Sequence, residues 1–263
     1  MILLVDIGNT AVKFASVESV NVDADITPLA VIGRERGIEL SGELRHIANL
    51  GYREVLVSSV ATKRFERELD AKIQKAFGLA PIYARTDGDC AGVHCAYEDP
   101  KRLGVDRWLA VLAGWHLSEG KPVVVVDCGT AVTLDVVVAG QHLGGLIVPG
   151  VNTMMKSLFR DTDQIAGAAA GEVVSGQLPL LGLNTRDAVA AGSRHMVLGF
   201  LDRHRELLRQ RYGDDLVSIV GGGSAATMLD AVDQKWDYER HLVWRGLMIW
   251  ASNRDLMSQE NQC

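Results

Sequence analysis

The sequence predicts an α/β fold built as two lobes of similar design. Apolar runs that read as buried strands alternate with segments of helical periodicity along the whole chain. Two segments nearly half the chain apart share one plan: four apolar residues, a turn of the form Asp-x-Gly-polar, then a second strand able to form a hairpin with the first. The chain also holds 27 glycines, above the usual ~7%, but only 6 prolines, with 48% hydrophobic residues. That balance excludes a disordered or collagen-like chain and points to tight turns or backbone brought close to a ligand.

Taken in order, Ile2–Val5 is a strand that runs into Asp6-Ile7-Gly8-Asn9-Thr10 and returns through Ala11–Ala15. Val55–Ser58 is a short strand. In Thr62–Phe77, Phe65, Leu69, Ile73 and Phe77 recur at every fourth position, the apolar stripe of a helix that ends at Gly78. Arg102–Leu117 is a helix that offers Leu103, Trp108, Leu112 and Trp115 to the core. Gly120 and Pro122 punctuate the chain, so the lobe boundary is placed there, dividing it into 1–119 and 120–263. Val123–Val126 then repeats the first strand, followed by Asp127-Cys128-Gly129-Thr130-Ala131 and a second hairpin arm. Gln141–Val148 is a strand stopped by Pro149-Gly150, and Ala166–Gly171, rich in small residues, is a loop. Asn184–Arg211 is a long helix, and Leu216–Val220 a buried strand leading into Gly221-Gly222-Gly223.

Composition narrows the function classes. A net charge of −6 speaks against a general nucleic-acid binder, which needs clustered Lys and Arg. Arg203, Arg205, Arg209 and Arg211 alternate with Asp202 and Glu206, a solvated helix face. Four scattered cysteines imply a reducing compartment rather than a disulfide framework. The apolar run at Ile2–Val5 has no basic leader, and Val123–Val138 is interrupted by Asp127 and Asp135, so neither a secretory signal nor a membrane span is expected. The expectation is a cytoplasmic protein. Cys90 and Cys95 lack further zinc ligands at suitable spacing, and the seven histidines form no metal-ligand pattern.

Three groups of residues can carry chemistry. At Asp6-Ile7-Gly8-Asn9-Thr10 the glycine lets backbone N–H groups approach phosphate oxygens, and Asn9 and Thr10 add donors. Asp6 can hold Mg²⁺, and Lys13 can offer a point charge to phosphate. One such turn reads equally as a plain hairpin; two of them suggest a two-sided clamp for a nucleoside triphosphate. Gly221-Gly222-Gly223 permits another close approach, although a simple strand-to-helix turn explains it as well. Neither the Gly-x-x-x-x-Gly-Lys loop nor the Gly-x-Gly-x-x-Gly fingerprint is present. In Gly104-Val105-Asp106-Arg107, Asp106 can accept a hydroxyl proton and Arg107 can clamp an anion; the tetrapeptide alone also fits a helix start with a surface arginine.

In chain order, these motifs resemble the type III pantothenate kinases, the Bvg-accessory-factor-like proteins. The resemblance rests on Asp6-x-Gly-Asn-Thr, Tyr97-x-x-Pro100-x-x-Leu103-Gly104-x-Asp106-Arg107 and Asp127-x-Gly-Thr130-Ala131-x-Thr133-x-Asp135. It continues through Gly144-Gly145-x-Ile147-x-Pro149-Gly150, Gly182-x-Asn184-Thr185-x-x-Ala188, Gly222-Gly223 and Leu242-Val243-x-Arg245-Gly246-Leu247. Ser224 departs from it, standing where an acidic residue commonly follows the paired glycines. The resemblance implies two ribonuclease-H-like lobes of the acetate kinase/Hsp70/actin (ASKHA) type with an interlobe cleft. The implied reaction is ATP-dependent phosphorylation of pantothenate, the first step of coenzyme A synthesis. It further implies that Asp6, Ile7, Gly8, Asn9, Thr10, Ala11, Val12 and Lys13 line the ATP phosphates, with Thr130, Gly222 and Gly223 also at the nucleotide. Asp106 is then the proton acceptor, while Tyr97, Gly104, Val105, Asp106, Arg107 and Thr185 contact pantothenate. Asp127 is assigned a monovalent cation, K⁺ or NH₄⁺. A homodimer with the pantothenate pocket near its interface is implied too. The rival readings are an accessory transcriptional regulator of the same fold and a kinase for another small alcohol.

Overall fold

The structure is a computed structural model that describes residues 1–34, 47–48, 50–161, 179–226 and 236–260. It contains two compact units: Met1–Leu117 with Gly140–His142 and His241–Cys263, and Ser118–Ala139 with Leu143–Arg240.

The first unit is built on strands β1 (Ile2–Ile7), β2 (Ala11–Val17), β3 (Thr27–Gly33), β4 (Glu54–Ser59) and β5 (Ile82–Tyr83), ordered β3-β2-β1-β4-β5. The β1–β2 and β2–β3 pairs are antiparallel; β1–β4 and β4–β5 are parallel. Alternation along the strands decides which side chains share a face. Leu3, Val5 and Ile7 of β1, Val12 and Phe14 of β2, and Val55 and Val57 of β4 point to one side. There they bury Leu69 and Ile73 of helix α1 (Lys63–Phe77). Burial of each such side chain contributes about 1.5–3 kcal/mol. Thr62 caps α1 by accepting from the Phe65 N–H, and Gly78, at φ 69°, closes it with an N–H donated to the Gln74 carbonyl. Helices α2 (Val105–Leu117) and α5 (Leu242–Glu260, numbered last in the chain) pack together and against the same sheet's strands. Short strands β6 (Asp89–Cys90) and β7 (Val93–His94) form a hairpin that pairs with Gln141.

The second unit repeats the plan with β8 (Val123–Cys128), β9 (Ala131–Val138), β10 (Gln141–Pro149, of which the first two residues fall in the first unit), β11 (Val217–Gly221) and β12 (Asp237–Tyr238). Their order is β10-β9-β8-β11-β12, so the five strands of each repeat, numbered from their own first strand, read 3-2-1-4-5, the ribonuclease-H-like order, and β7 and β6 extend the second sheet beyond β10. Val124, Val126 and Cys128 of β8 occupy the places of Leu3, Val5 and Ile7. They pack with helices α3 (Val151–Asp161) and α4 (Thr185–Tyr212) through Val151, Met155, Val197 and Leu201.

Most expected elements are found within a residue or two of their predicted ends. The helix expected at Arg102–Leu117 begins only at Val105, after a single 3₁₀ turn at Pro100–Arg102 that Asp99 caps. The loop expected at Ala166–Gly171 lies outside the described residues. Placing all of 120–263 in one lobe differs from the contact pattern, which groups His241–Cys263 with the first unit. The cause is α5, which crosses α2 at Gly246, where a Cβ would fall on the Leu109 carbonyl oxygen.

Candidate active site

The C-terminal end of β1 positions Asp6, buried and 7% exposed. Its antiparallel partner is Lys13, whose Nζ lies 3.3 Å from Asp6 Oδ2. Beyond Asp6 the chain turns, and the Gly8 N–H donates to the Ala11 carbonyl at 3.0 Å. Asn9 and Thr10 are exposed at the tip. Ile7 and Val12 send their side chains into the core, which leaves only their backbone at the turn. The turn has a brace that no sequence motif announces: Arg34 donates to the carbonyls of Gly8 and Asn9 at 3.1 and 3.3 Å. Its guanidinium also lies over the Phe65 ring at 4.4 Å.

Asp106 sits in the first turn of α2, where its Oδ1 accepts from the Arg107 N–H at 2.8 Å. Gly104 leaves room for this carboxylate, since a Cβ there would lie 2.7 Å from Asp106 Oδ1. Burial raises the Asp106 pKa above the usual carboxylate range, and the negative charge of Asp6 adds to the rise; the Arg107 N–H and guanidinium oppose it. Asp6 and Asp106 therefore feel each other's charge. Arg107 is buried and donates through Nη1 to the Tyr97 hydroxyl at 3.1 Å. Val105 opens the helix beside them, half-buried.

In the second unit Asp127 is the last residue but one of β8, half-buried, and lies in parallel register with Gly221. The turn after it is one residue shorter than its counterpart, because β8–β9 pairing closes at Cys128↔Val132 whereas β1–β2 closes at Ile7↔Val12. Thr133 thus faces Asp127 where Lys13 faces Asp6, and the second copy lacks the lysine. The Gly129 N–H donates to the Ala131 carbonyl at 2.9 Å, and Thr130, exposed at the tip, receives the Gly150 N–H (2.9 Å) and the Thr153 hydroxyl (2.6 Å) on its carbonyl. Gly222 has φ +98°, and a Cβ there would meet the Cys128 backbone at 2.5 Å and Asp127 Oδ1 at 2.6 Å. Only glycine fits. Around Gly223 there is open space, and Ser224 donates its N–H to the Cys128 carbonyl at 3.0 Å. Thr185 opens α4, exposed, next to the capping Asn184.

The structure thus gathers Asp6, Lys13, Asp106, Arg107 and Tyr97 in the first unit, and Asp127, Thr130, Gly222 and Gly223 in the second. The Cys128 side chain is buried in the α3–α4 core, and burial with the Asp127 charge pushes its pKa up to about 12. Cys90 is likewise buried and pushed up to about 12. Among the three described cysteines of the native protein, a thiol-alkylating reagent should modify Cys95 and neither of the buried two; mass spectrometry that finds Cys128 labelled before denaturation would refute this.

A profile of the family described as type III pantothenate kinase matches residues 2–207. The chain belongs to this family. Relatives bearing that name include a protein of Nitrosococcus oceani, 33% identical over 268 residues that cover 99% of this chain and 97% of the relative. One from Pseudomonas fluorescens (strain SBW25) is 35% identical over 95% of this chain and 98% of its own. One from a Marinomonas species is 38% identical over 87% of this chain and 86% of its own. Among solved structures, a protein described as a conserved Baf family transcriptional activator from Campylobacter jejuni has the same fold. Its TM-score is 0.55 at 19% identity, with 96% of this chain and 99% of that one covered. Among the described residues, no helix of this family member is long and apolar enough to cross a membrane. Nor do three or more His, Cys, Asp or Glu side chains there form a metal-ligand group.

Proposed function

We propose that this chain transfers the γ-phosphoryl group of ATP to the primary hydroxyl of pantothenate, giving 4′-phosphopantothenate and ADP, the first step of coenzyme A synthesis. Family membership supports the substrate pair. The observation that carries the mechanism is the half-buried Asp106 carboxylate, set at a helix start beside the Asp6–Lys13 pair.

Asp106 accepts the hydroxyl proton as the oxygen attacks phosphorus; its raised pKa makes it a better proton acceptor than an exposed carboxylate. Lys13 and the N–H groups of the Gly8 turn hold the phosphates, with Arg34 keeping the turn in shape. Arg107, steadied by the Tyr97 hydroxyl, is a charge-assisted donor suited to the carboxylate of pantothenate. Gly104, Val105 and Thr185 are the remaining pantothenate contacts, and Thr130, Gly222 and Gly223 the remaining nucleotide contacts. Mg²⁺ suits the oxygen donors at Asp6, which would share it with the phosphates as this hard ion prefers; when bound it neutralises phosphate charge. Asp127 would hold K⁺ or NH₄⁺, its carboxylate lying where Gly222 leaves space.

A homodimer is part of the proposal. Ile147, Leu180, Leu181 and Met196 are exposed in the second unit, and Leu183, two residues before Thr185, is 97% exposed. A partner subunit covering this surface also accounts for an apolar run beside a substrate contact; a monomer by light scattering would remove this part. The protein acts in the cytoplasm, where ATP is supplied and its thiols stay reduced, with no nucleic-acid or membrane partner.

The deciding experiment is ADP release by the purified protein with ATP, Mg²⁺, K⁺ and pantothenate, with other small alcohols as controls. Pantothenate alone should support turnover, and Na⁺ in place of K⁺ or NH₄⁺ should lower it. Release with another alcohol and none with pantothenate refutes the acceptor; indifference to Na⁺ refutes the cation site.

A further inference from the structure

One buried polar group beside this site is used by none of the roles above. Ser58, the parallel-strand partner of Asp6, is 1% exposed, and its Oγ has no hydrogen-bond partner among the described residues. Register and alternation fix where it faces. Val55 and Val57 point to α1, so Leu56 and Ser58 point to the opposite face of the sheet. By the same rule Asp6 faces that side on β1 and Lys13 on β2. Lys13, Asp6 and Ser58 therefore form one row across β2, β1 and β4. The row lies at the C-terminal ends of two parallel strands, on the side that carries α2 and Asp106. Asp6 and Lys13 pair with each other, and Asp106 accepts a backbone N–H. Within the row only the Ser58 hydroxyl is buried with no hydrogen bond among the described residues. A hydroxyl stripped of water and given no protein partner weakens the fold, so its presence is explained by a partner that arrives with a ligand.

We propose that the Ser58 hydroxyl contacts an oxygen of the bound Mg²⁺–triphosphate group, either a phosphate oxygen or a water on the metal, extending the Lys13–Asp6 row. This rests on the nucleotide reading of the site, but not on pantothenate as acceptor. A second serine, Ser59, is already engaged, since its Oγ accepts from the Ala61 N–H at 3.2 Å and shapes the chain after β4.

The test separates a ligand contact from a structural one. Ser58→Ala should leave the melting temperature of the ligand-free protein unchanged or higher, because it deletes an unpartnered hydroxyl. The same variant should weaken calorimetric binding of a non-hydrolysable ATP analogue with Mg²⁺ by about tenfold or more, the scale of one hydrogen bond to a charged group. Ser58→Cys, close in volume but a weak donor, should behave alike. Repeating the titration without Mg²⁺ assigns the contact: affinity lost in both conditions places it on phosphate, and affinity lost only with Mg²⁺ places it on the metal's water. Unchanged analogue affinity overturns the proposal, as does a lowered melting temperature with equal loss of nucleotide and pantothenate binding. If the wild-type protein binds the analogue but does not turn over pantothenate, the acceptor reading fails while the Ser58 contact stands on its own measurement. If the wild-type protein binds no nucleotide, both fail.

Discussion

Asp106→Asn should lower turnover by about 10²–10⁴-fold, the usual cost of losing a general base, while ATP binding stays measurable. It should also stabilise the protein at neutral pH. The carboxylate is half-buried, near the negative Asp6, and its pKa in the folded state lies above the unfolded value. An acid shifted in that direction binds its proton more tightly when folded. Its ionised form therefore costs stability at any pH above the folded pKa. As pH falls through that pKa toward the unfolded value, ~3.9 for Asp, the cost disappears. Asparagine carries no charge to desolvate and keeps an oxygen to accept the Arg107 N–H. The variant's melting temperature should thus exceed that of the wild type at pH 7 to 8, and the two should converge as pH approaches 4. For the wild type, kcat should fall on the acid side at a pH above that of an exposed aspartate. Near-normal turnover in the variant would remove Asp106 from the proton-accepting role. A lower melting temperature at neutral pH would show that the carboxylate stabilises the site instead.

Gly246→Ala should be among the most damaging single-methyl additions in the chain. Helix α5 approaches α2 so closely that a Cβ at this position would fall on the Leu109 carbonyl oxygen and lie 2.5 Å from its carbon. The obstacle is helix backbone, which cannot rotate aside. The helices must separate, loosening contacts of buried neighbours such as Trp108, Leu247 and Met248. Overpacking of this kind costs about 1–3 kcal/mol, with the upper end expected where backbone is struck. The control is Gly199→Ala in α4, where nothing lies within 4 Å of the added Cβ. There alanine should gain about 0.5–1 kcal/mol from helix propensity. Urea unfolding of both variants checks the pair, and an intact midpoint for Gly246→Ala would contradict the close crossing.

Much of the candidate site was legible because its residues are tied together by short-range geometry. Asp6, Gly8 and Lys13 lie on one hairpin, so strand pairing alone brings Lys13 opposite Asp6. The same logic exposed the second turn, although its missing residue, and with it the exchange of lysine for Thr133, emerges only from the pairing register. Arg34 and Ser58 were not legible. Arg34 lies 26 residues from the Gly8 carbonyl it binds, in a segment with no motif, and Ser58 looks like the polar end of an ordinary strand. Helix α5 escaped for a related reason. Buried around most of its surface by Leu242, Trp244, Leu247, Met248, Ile249 and Trp250, it lacks the one-sided stripe that reveals a helix.

The sequence by itself therefore determined the α/β class, the duplicated Asp-x-Gly turns and the family, since strand alternation, helix stripes and turn chemistry are local properties. Tertiary structure alone decided that the last helix belongs to the first unit. It also decided that Asp6 shares its sheet face with Ser58 and that Asp106 titrates under the charge of Asp6. Those facts depend on register and burial between segments distant in the chain, where hydrogen-bond pairing and exclusion of water act through space.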